Sequence, residues 1–290
     1  MQKILGSLII IGAVLGGYTM AHGDLAMLWQ PAEVIIILGA GLGSLVVANP
    51  REVLLEMCSQ IKGVFVLKRR GEEFQRQLLM LLYELLETVE EGGLKALDEH
   101  IEEPEQSELF TRYPLILEEN NLMAFIADNF RLMAMGKISA HELEGFLEQE
   151  LEAMEHALLQ PSRSLQKIGE AMPGFGILAA ILGIIITMGS IGGSVAEVGA
   201  HVAAALVGTF LGIFMCYCLM EPLSHAMSQR IKTELSALEC TRTTLVAHVA
   251  GKPTLLAVDA GRKLIEQDVK PAFKQLEIWV NQFEDQRDAA

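Results

Sequence analysis

Four apolar stretches, roughly Ile4–Ala21, Val34–Ala48, Pro173–Ile191 and Val198–Met220, stand in two close pairs along the chain. The short loops His22–Glu33 and Gly192–Glu197 separate the members of each pair. Between the pairs lies a long polar segment, Asn49–Glu170. Apolar runs of about 17–25 residues are long enough to cross a bilayer as helices. Val34–Ala48 is short enough for a buried helix of a soluble protein, but three further spans in one chain argue against that. Lys3 precedes the first stretch, yet Tyr18-Thr19-Met20-Ala21-His22-Gly23 is not an A-x-A cleavage pattern, so it reads as a span rather than a signal peptide.

The polar segment reads as helical. Leu78, Leu82, Leu85 and Val89 recur at helical spacing through Glu72–Glu91, and Gly92-Gly93 ends that run. Leu122–Met135 and His141–Leu159 predict further helices divided by Gly136, and strand-like alternation is absent. After the last span, Leu223–Val246 is amphipathic and continues the fourth span, with short helices expected at Leu255–Gln267 and Pro271–Phe283. The expected fold class is all-α: four transmembrane helices with a large helical cytoplasmic insert between the second and third. The expected domains are a first transmembrane pair (1–49), a cytoplasmic helical domain (50–170), a second transmembrane pair (171–222) and cytoplasmic C-terminal helices (223–290).

Composition supports this reading: the hydrophobic fraction is 51% and the mean hydropathy +0.35. The formal net charge is -15, and Arg51–Glu170 carries 12 Lys and Arg against 24 Asp and Glu. Such a surface repels nucleic acid and suits a basic or mixed-charge protein partner. Lys62, Lys68, Arg69 and Arg70 follow the second span, Arg163 and Lys167 precede the third, and Arg230 and Lys232 follow the fourth. The two short loops contain no Lys or Arg, so the positive-inside rule puts both termini and the insert in the cytoplasm of a multi-pass inner-membrane protein. Trp29 fits an outer interfacial belt. Cys58, Cys216, Cys218 and Cys240 have no zinc or disulfide spacing and read as buried thiols of a reducing compartment.

No nucleotide fingerprint, catalytic triad or metal motif appears, so no enzyme, metal or cofactor is expected. Gly39-Ala40-Gly41-Leu42-Gly43 lies inside a span, where its glycines let helices approach. His141-Glu142 begins like a zinc-protease motif, but Gly145 stands where the second His is required. No Asp, Glu, Lys or Arg lies inside the four stretches as delimited, whereas an ion carrier needs an ionisable group at membrane depth. Either the chain moves no ion or a partner supplies the carboxylate. Thr209, Tyr217 and Thr187 are the main polar groups in the third and fourth spans. Pro173 opens the third span and Pro222 closes the fourth, which reads either as helix punctuation or as a hinge pair. Gly208-Thr209-Phe210-Leu211-Gly212 offers a close-packing face.

These residues resemble one family. Gly16-Gly17-Tyr18, Gln30-Pro31-Ala32-Glu33 and Gly39-Ala40-Gly41-Leu42-Gly43-Ser44 are similar to the N-terminal signature of MotA, the flagellar stator protein family. Pro173-Gly174-Phe175-Gly176-Ile177, Val207-Gly208-Thr209-Phe210-Leu211-Gly212-Ile213, Gly261-Arg262-Lys263 and Pro271-Ala272-Phe273 resemble its later segments. The resemblance implies a homo-oligomeric ring, thought to be a pentamer, in membrane lipid around a pair of MotB-like, peptidoglycan-anchored chains. It implies that the partner carries the ion-binding aspartate and that the insert pushes on the rotor switch ring.

By the same resemblance, Pro173 and Pro222 take the places of the torque-coupling prolines, Thr209 that of a threonine near the ion path, and Asp98 that of an acidic rotor contact. Glu90 stands where relatives have arginine. The contact would then have moved to Lys95, Arg69 or Arg70, or the chain serves a different rotor, as in a dedicated or lateral flagellar system. Ala180 stands where sodium-type relatives carry threonine, which implies protons as the coupling ion. The ion path expected is therefore Thr209, Ala180 and Tyr217, with rotor contacts at Asp98, Glu90 and Lys95. An ExbB/TolQ-like energising subunit for outer-membrane transport and a secondary transporter are the alternatives.

Overall fold

The computed structural model describes residues 2–65, 71–136, 138–189 and 194–288. Every regular element among them is helical: α1 (Gln2–Met20), α2 (Pro31–Ala48), α3 (Arg51–Phe65), α4 (Glu72–Gly92), α5 (Asp98–Glu102), α6 (Glu108–Thr111), α7 (Pro114–Leu117), α8 (Asn120–Met135), α9 (Ala140–Gly189), α10 (Val195–Phe214), α11 (Glu221–Val249), α12 (Thr254–Arg262) and α13 (Phe273–Asp288). The chain divides into two units. One takes Met1–Leu67 with Ala157–Arg230, the other Lys68–His156 with Ile231–Ala290. Ser190–Gly193, Lys68, Arg69 and Arg70, which carry parts of the sequence reading, lie outside the described residues.

Among the described residues, four helices are long and apolar enough to cross a membrane. In the first unit they turn apolar side chains outward: Leu8 and Ile9 of α1, Val47 of α2, Ile186 of α9 and Val195 of α10 are all exposed. A surface of that kind matches hydrocarbon rather than water. Helix α2 starts three residues before the predicted span. Pro31 occupies its first turn, where a missing N–H costs nothing, and Glu33 follows in the same turn, favoured there by the helix dipole.

The two prolines sit differently from the sequence reading. Pro173 does not open a helix: α9 starts at Ala140 and carries both Pro161 and Pro173 in its interior. Each removes one backbone bond and crowds the carbonyl four residues earlier. Pro222 does not close a helix either. It is the second residue of α11, directly after a π-helical run, Met215–Met220, in which Glu221 N–H donates to the Cys216 carbonyl five residues back. The wider turn accommodates the ring and the absent N–H of Pro222 without ending the rod.

In the second unit α4 is the central helix. Leu78, Leu79, Leu81, Leu82, Leu85 and Leu86 are fully buried against Phe125 and Phe130 of α8, Leu143 and Leu147 of α9, Leu238 and Leu245 of α11, Val258 of α12 and Leu276 of α13. Burying each leucine contributes about 1.5–3 kcal/mol. Gly93 caps α4 at φ 73°, a left-handed conformation that glycine adopts without strain, and its N–H donates to the Val89 carbonyl. Short α5, α6 and α7 lead back along α4, where Tyr113 Oη donates to Glu84 and Leu115 N–H to Gln77 Oε1.

The C-terminal motifs Gly261-Arg262-Lys263 and Pro271-Ala272-Phe273 are structural. Arg262 binds the Asp259 carboxylate and the Pro271 carbonyl, each at 2.7 Å, which ties α12 to the start of α13. Gly261 lies directly against Thr244 Oγ1 and the Cys240 carbonyl of α11, where no side chain fits. Of the cysteines, Cys216 and Cys240 are buried, Cys218 is half-buried and Cys58, against expectation, is exposed.

Candidate functional site

In the membrane-spanning unit, α9 and α10 meet backbone to backbone. A methyl group at Gly176 would lie 2.7 Å from the Gly208 carbonyl and 3.1 Å from Gly212 Cα; one at Gly212 would lie 2.6 Å from the Met172 carbonyl. Further along, a methyl at Gly183 would meet Ala205 Cβ at 3.2 Å, and one at Gly169 would meet Met220 Cβ at 2.8 Å. As residue numbers rise on α9 they fall on α10, so the pair is antiparallel. Small residues at helical spacing on both sides permit this close approach.

Ala179 and Gly208 belong to the seam; Ala180 and Thr209 are each one residue further on. One residue rotates a helix by about 100°. In an antiparallel right-handed pair this turns Ala180 and Thr209 onto the same flank of the seam. Both are half-buried. Helix α2 covers the other flank, where Gly41 lies against Met172 and Ile168. The structure therefore puts Ala180 and Thr209 on one flank of the seam. Tyr217 belongs instead to the π-helical run and is 62% exposed.

One residue escaped the sequence reading. Glu33 is buried, with 7% of its surface exposed, and its Cγ would stand 3.2 Å from a methyl on Gly208, beside Ala179. Gly208 is about 20 Å along α10 from Val195, at 1.5 Å per residue, and about as far from Pro222. The first turn of α2 thus places a buried carboxylate beside Gly208, about halfway along the fourth apolar stretch. The signal available was Glu33 two residues after Pro31, at a helix start rather than in a loop.

In the second unit, Glu90, Lys95 and Asp98 fall within one short stretch: the last turn of α4, the 3-10 turn Leu94–Leu97 and the first residue of α5. All three are exposed. Asp98 lines a hollow of about 690 Å³ with Glu99, Glu102, Glu103 and Glu108. Arg131 offsets one edge, bound to Glu102 at 3.0 Å and Asp128 at 2.9 Å. Behind the surface, Glu84 accepts a hydrogen bond from Tyr113 Oη at 2.8 Å and pairs with Arg112 at 2.6 Å. Burial raises the Glu84 carboxyl above its ordinary range, against the pull of Tyr113 and Arg112. Among the described residues no group of His, Cys, Asp and Glu could hold a metal ion.

Residues 4–93 match the family described as Motility protein A N-terminal, and residues 118–240 the MotA/TolQ/ExbB proton channel family. The chain is 58% identical over 280 residues, 97% of its length and 98% of the relative's, to the chemotaxis protein LafT of Vibrio parahaemolyticus. The chain belongs to the MotA family. It is also 36% identical over 277 residues to motility protein A of Escherichia coli, covering 96% of this chain and 94% of that one. Two solved structures share the fold. That of C. jejuni MotAB aligns with a TM-score of 0.73 at 16% identity, covering 92% of this chain and 96% of that one. The flagellar MotAB stator complex of Bacillus subtilis aligns with a TM-score of 0.70 at 22% identity, covering 95% and 98%. Full-length relatives named for motility leave the energising-subunit and transporter alternatives without support.

Proposed function

We propose that this MotA-family stator subunit of the flagellar motor couples a proton current to torque on the rotor, as one copy of a ring around a MotB-like pair. The observation that carries this reading is the Gly176–Gly212 seam, with Ala180 and Thr209 on the flank that α2 leaves uncovered. Two half-buried, small or hydroxyl-bearing groups at mid-span fit a partner helix that brings its own carboxylate. Ala180 offers no oxygen to replace a sodium ion's water, which favours protons; each gains about 2.3 kcal/mol per 100 mV. Glu33, on the far side of the seam, adds a second acceptor at the same depth.

Pro173 in the interior of α9 and Pro222 after the π-helical run are the points at which the two rods bend most easily. They carry the coupling between ion passage and the cytoplasmic helices. The acidic hollow at Asp98, with Glu90 and Lys95 beside it, is the rotor contact. Both termini and the second unit face the cytoplasm, and the ring is a pentamer in the inner membrane. Glu90 in place of arginine fits a rotor of its own, as in a lateral flagellar system.

The test is motility of a strain lacking this chain, complemented together with its MotB-like partner, across separate proton and sodium gradients. Rotation restored only by a proton gradient supports the reading. Rotation that persists on sodium alone overturns the choice of ion, and normal motility without the chain overturns its role in that motor.

A further inference from the structure

Glu90 is not a free surface carboxylate. Its Oε1 accepts a hydrogen bond from Thr254 Oγ1 at 2.9 Å and lies 3.9 Å from His248 Nδ1. The His248 side chain is only 16% exposed, and its Nδ1 makes no hydrogen bond. Three elements of the second unit meet here: the last turn of α4, the last turn of α11 and the first residue of α12. Burial holds the imidazole below its ordinary range, while Glu90 and Glu87, both from α4, pull it upward. From α12 the nearby group is the uncharged Thr254 hydroxyl, and Arg287 of α13 is engaged with Glu91 at 3.0 Å.

We infer that Thr254 is a positioning residue for Glu90, and that His248 beside it makes this rotor-facing charge responsive to cytoplasmic protons. The inference rests on the reading of Glu90 as a rotor contact for a cationic side chain. With a neutral imidazole, Thr254 holds the carboxylate while about half of the side chain stays in solvent. When the imidazole takes a proton from the cytoplasm it becomes a cation facing Glu90, and this new cation competes with the rotor's for one carboxylate. Because burial opposes protonation, the change falls below about pH 6.5, the ordinary histidine value. The contact is therefore present above that pH and weakened as the cytoplasm acidifies.

The experiment compares the native stator complex with His248→Asn, Thr254→Val and Glu90→Gln. Hydrogen exchange of segments 88–93 and 248–255 in the purified complex, corrected for intrinsic rates, is followed from pH 7.5 to 5.5. Motor speed is followed in cells acidified with a permeant weak acid. In the native complex protection of both segments should shift with pH; in His248→Asn that shift should be lost with motor speed at neutral pH retained. Any slowing from the smaller proton gradient is shared by both, so the excess slowing of the native motor is the signal. Thr254→Val should lower torque at neutral pH. PH-independent protection of both segments in the native complex, or equal acid slowing in native and His248→Asn motors, overturns the inference. A pH shift in protection alongside unchanged torque in Glu90→Gln overturns the rotor-contact reading instead, and with it the link to torque.

Discussion

Gly176 and Gly212 face each other with no side chain between them, close enough that a methyl on one would stand about 3 Å from the Cα of the other. This relationship sets the spacing of α9 and α10, and with it the flank that carries Ala180 and Thr209. Gly212→Val should force the helices apart at a cost of about 1–3 kcal/mol, as overpacking does. The expected outcome is loss of the assembled complex on size-exclusion in detergent and loss of motility. An assembled, motile Gly212→Val complex would show the seam to be dispensable.

Glu33→Gln keeps the size of the side chain and removes its charge. If Glu33 relays protons at mid-span, the variant should assemble normally but pass protons more slowly. Proton influx in cells carrying the complex, read with a cytoplasmic pH indicator, checks this together with swimming speed. Glu33→Asp should recover part of the flux. Full flux in Glu33→Gln would reduce Glu33 to a packing residue on Gly208.

Pro222→Ala restores the N–H whose absence the π-helical run accommodates, so Met215–Met220 should relax toward α-helix and turn Cys218 relative to α11. Pro173→Ala should straighten α9. Both variants should assemble and fail to turn the motor. The rate of thiol labelling at Cys218 in the purified complex should change in Pro222→Ala and stay native in Pro173→Ala.

Glu84 gives a pH dependence whose sign follows from its burial. Its folded carboxyl binds the proton more tightly than the unfolded one. The resulting stabilisation is present below about pH 4.5 and is lost as pH rises through the folded value. Native protein should therefore gain thermal stability relative to Glu84→Gln as pH falls from 7 to 4.5. At neutral pH Glu84→Leu should cost about 1–3 kcal/mol, because it leaves the buried Tyr113 hydroxyl without its acceptor. Melting of the detergent-solubilised protein measures both.

Four apolar spans, a helical insert and the glycine-rich packing faces were legible because they depend on local pattern. Apolar length, helical periodicity and the left-handed cap at Gly93 are properties of neighbouring residues. The depth of Glu33, the interior position of Pro173 and the π-helical run before Pro222 were not legible. A carboxylate's depth depends on which residue of another helix it meets, here Gly208, and chain order does not state that register. Glu90 likewise read as an exposed charge, because Thr254 and His248 are more than 150 residues away along the chain and reach it only through the packing of α11 and α12 on α4. By itself the sequence determined the elements, their membrane affinity and the family. Tertiary structure alone decided which charges are buried, what holds them and which flank of the α9–α10 seam stays open, because burial and pairing are set by contacts between distant segments.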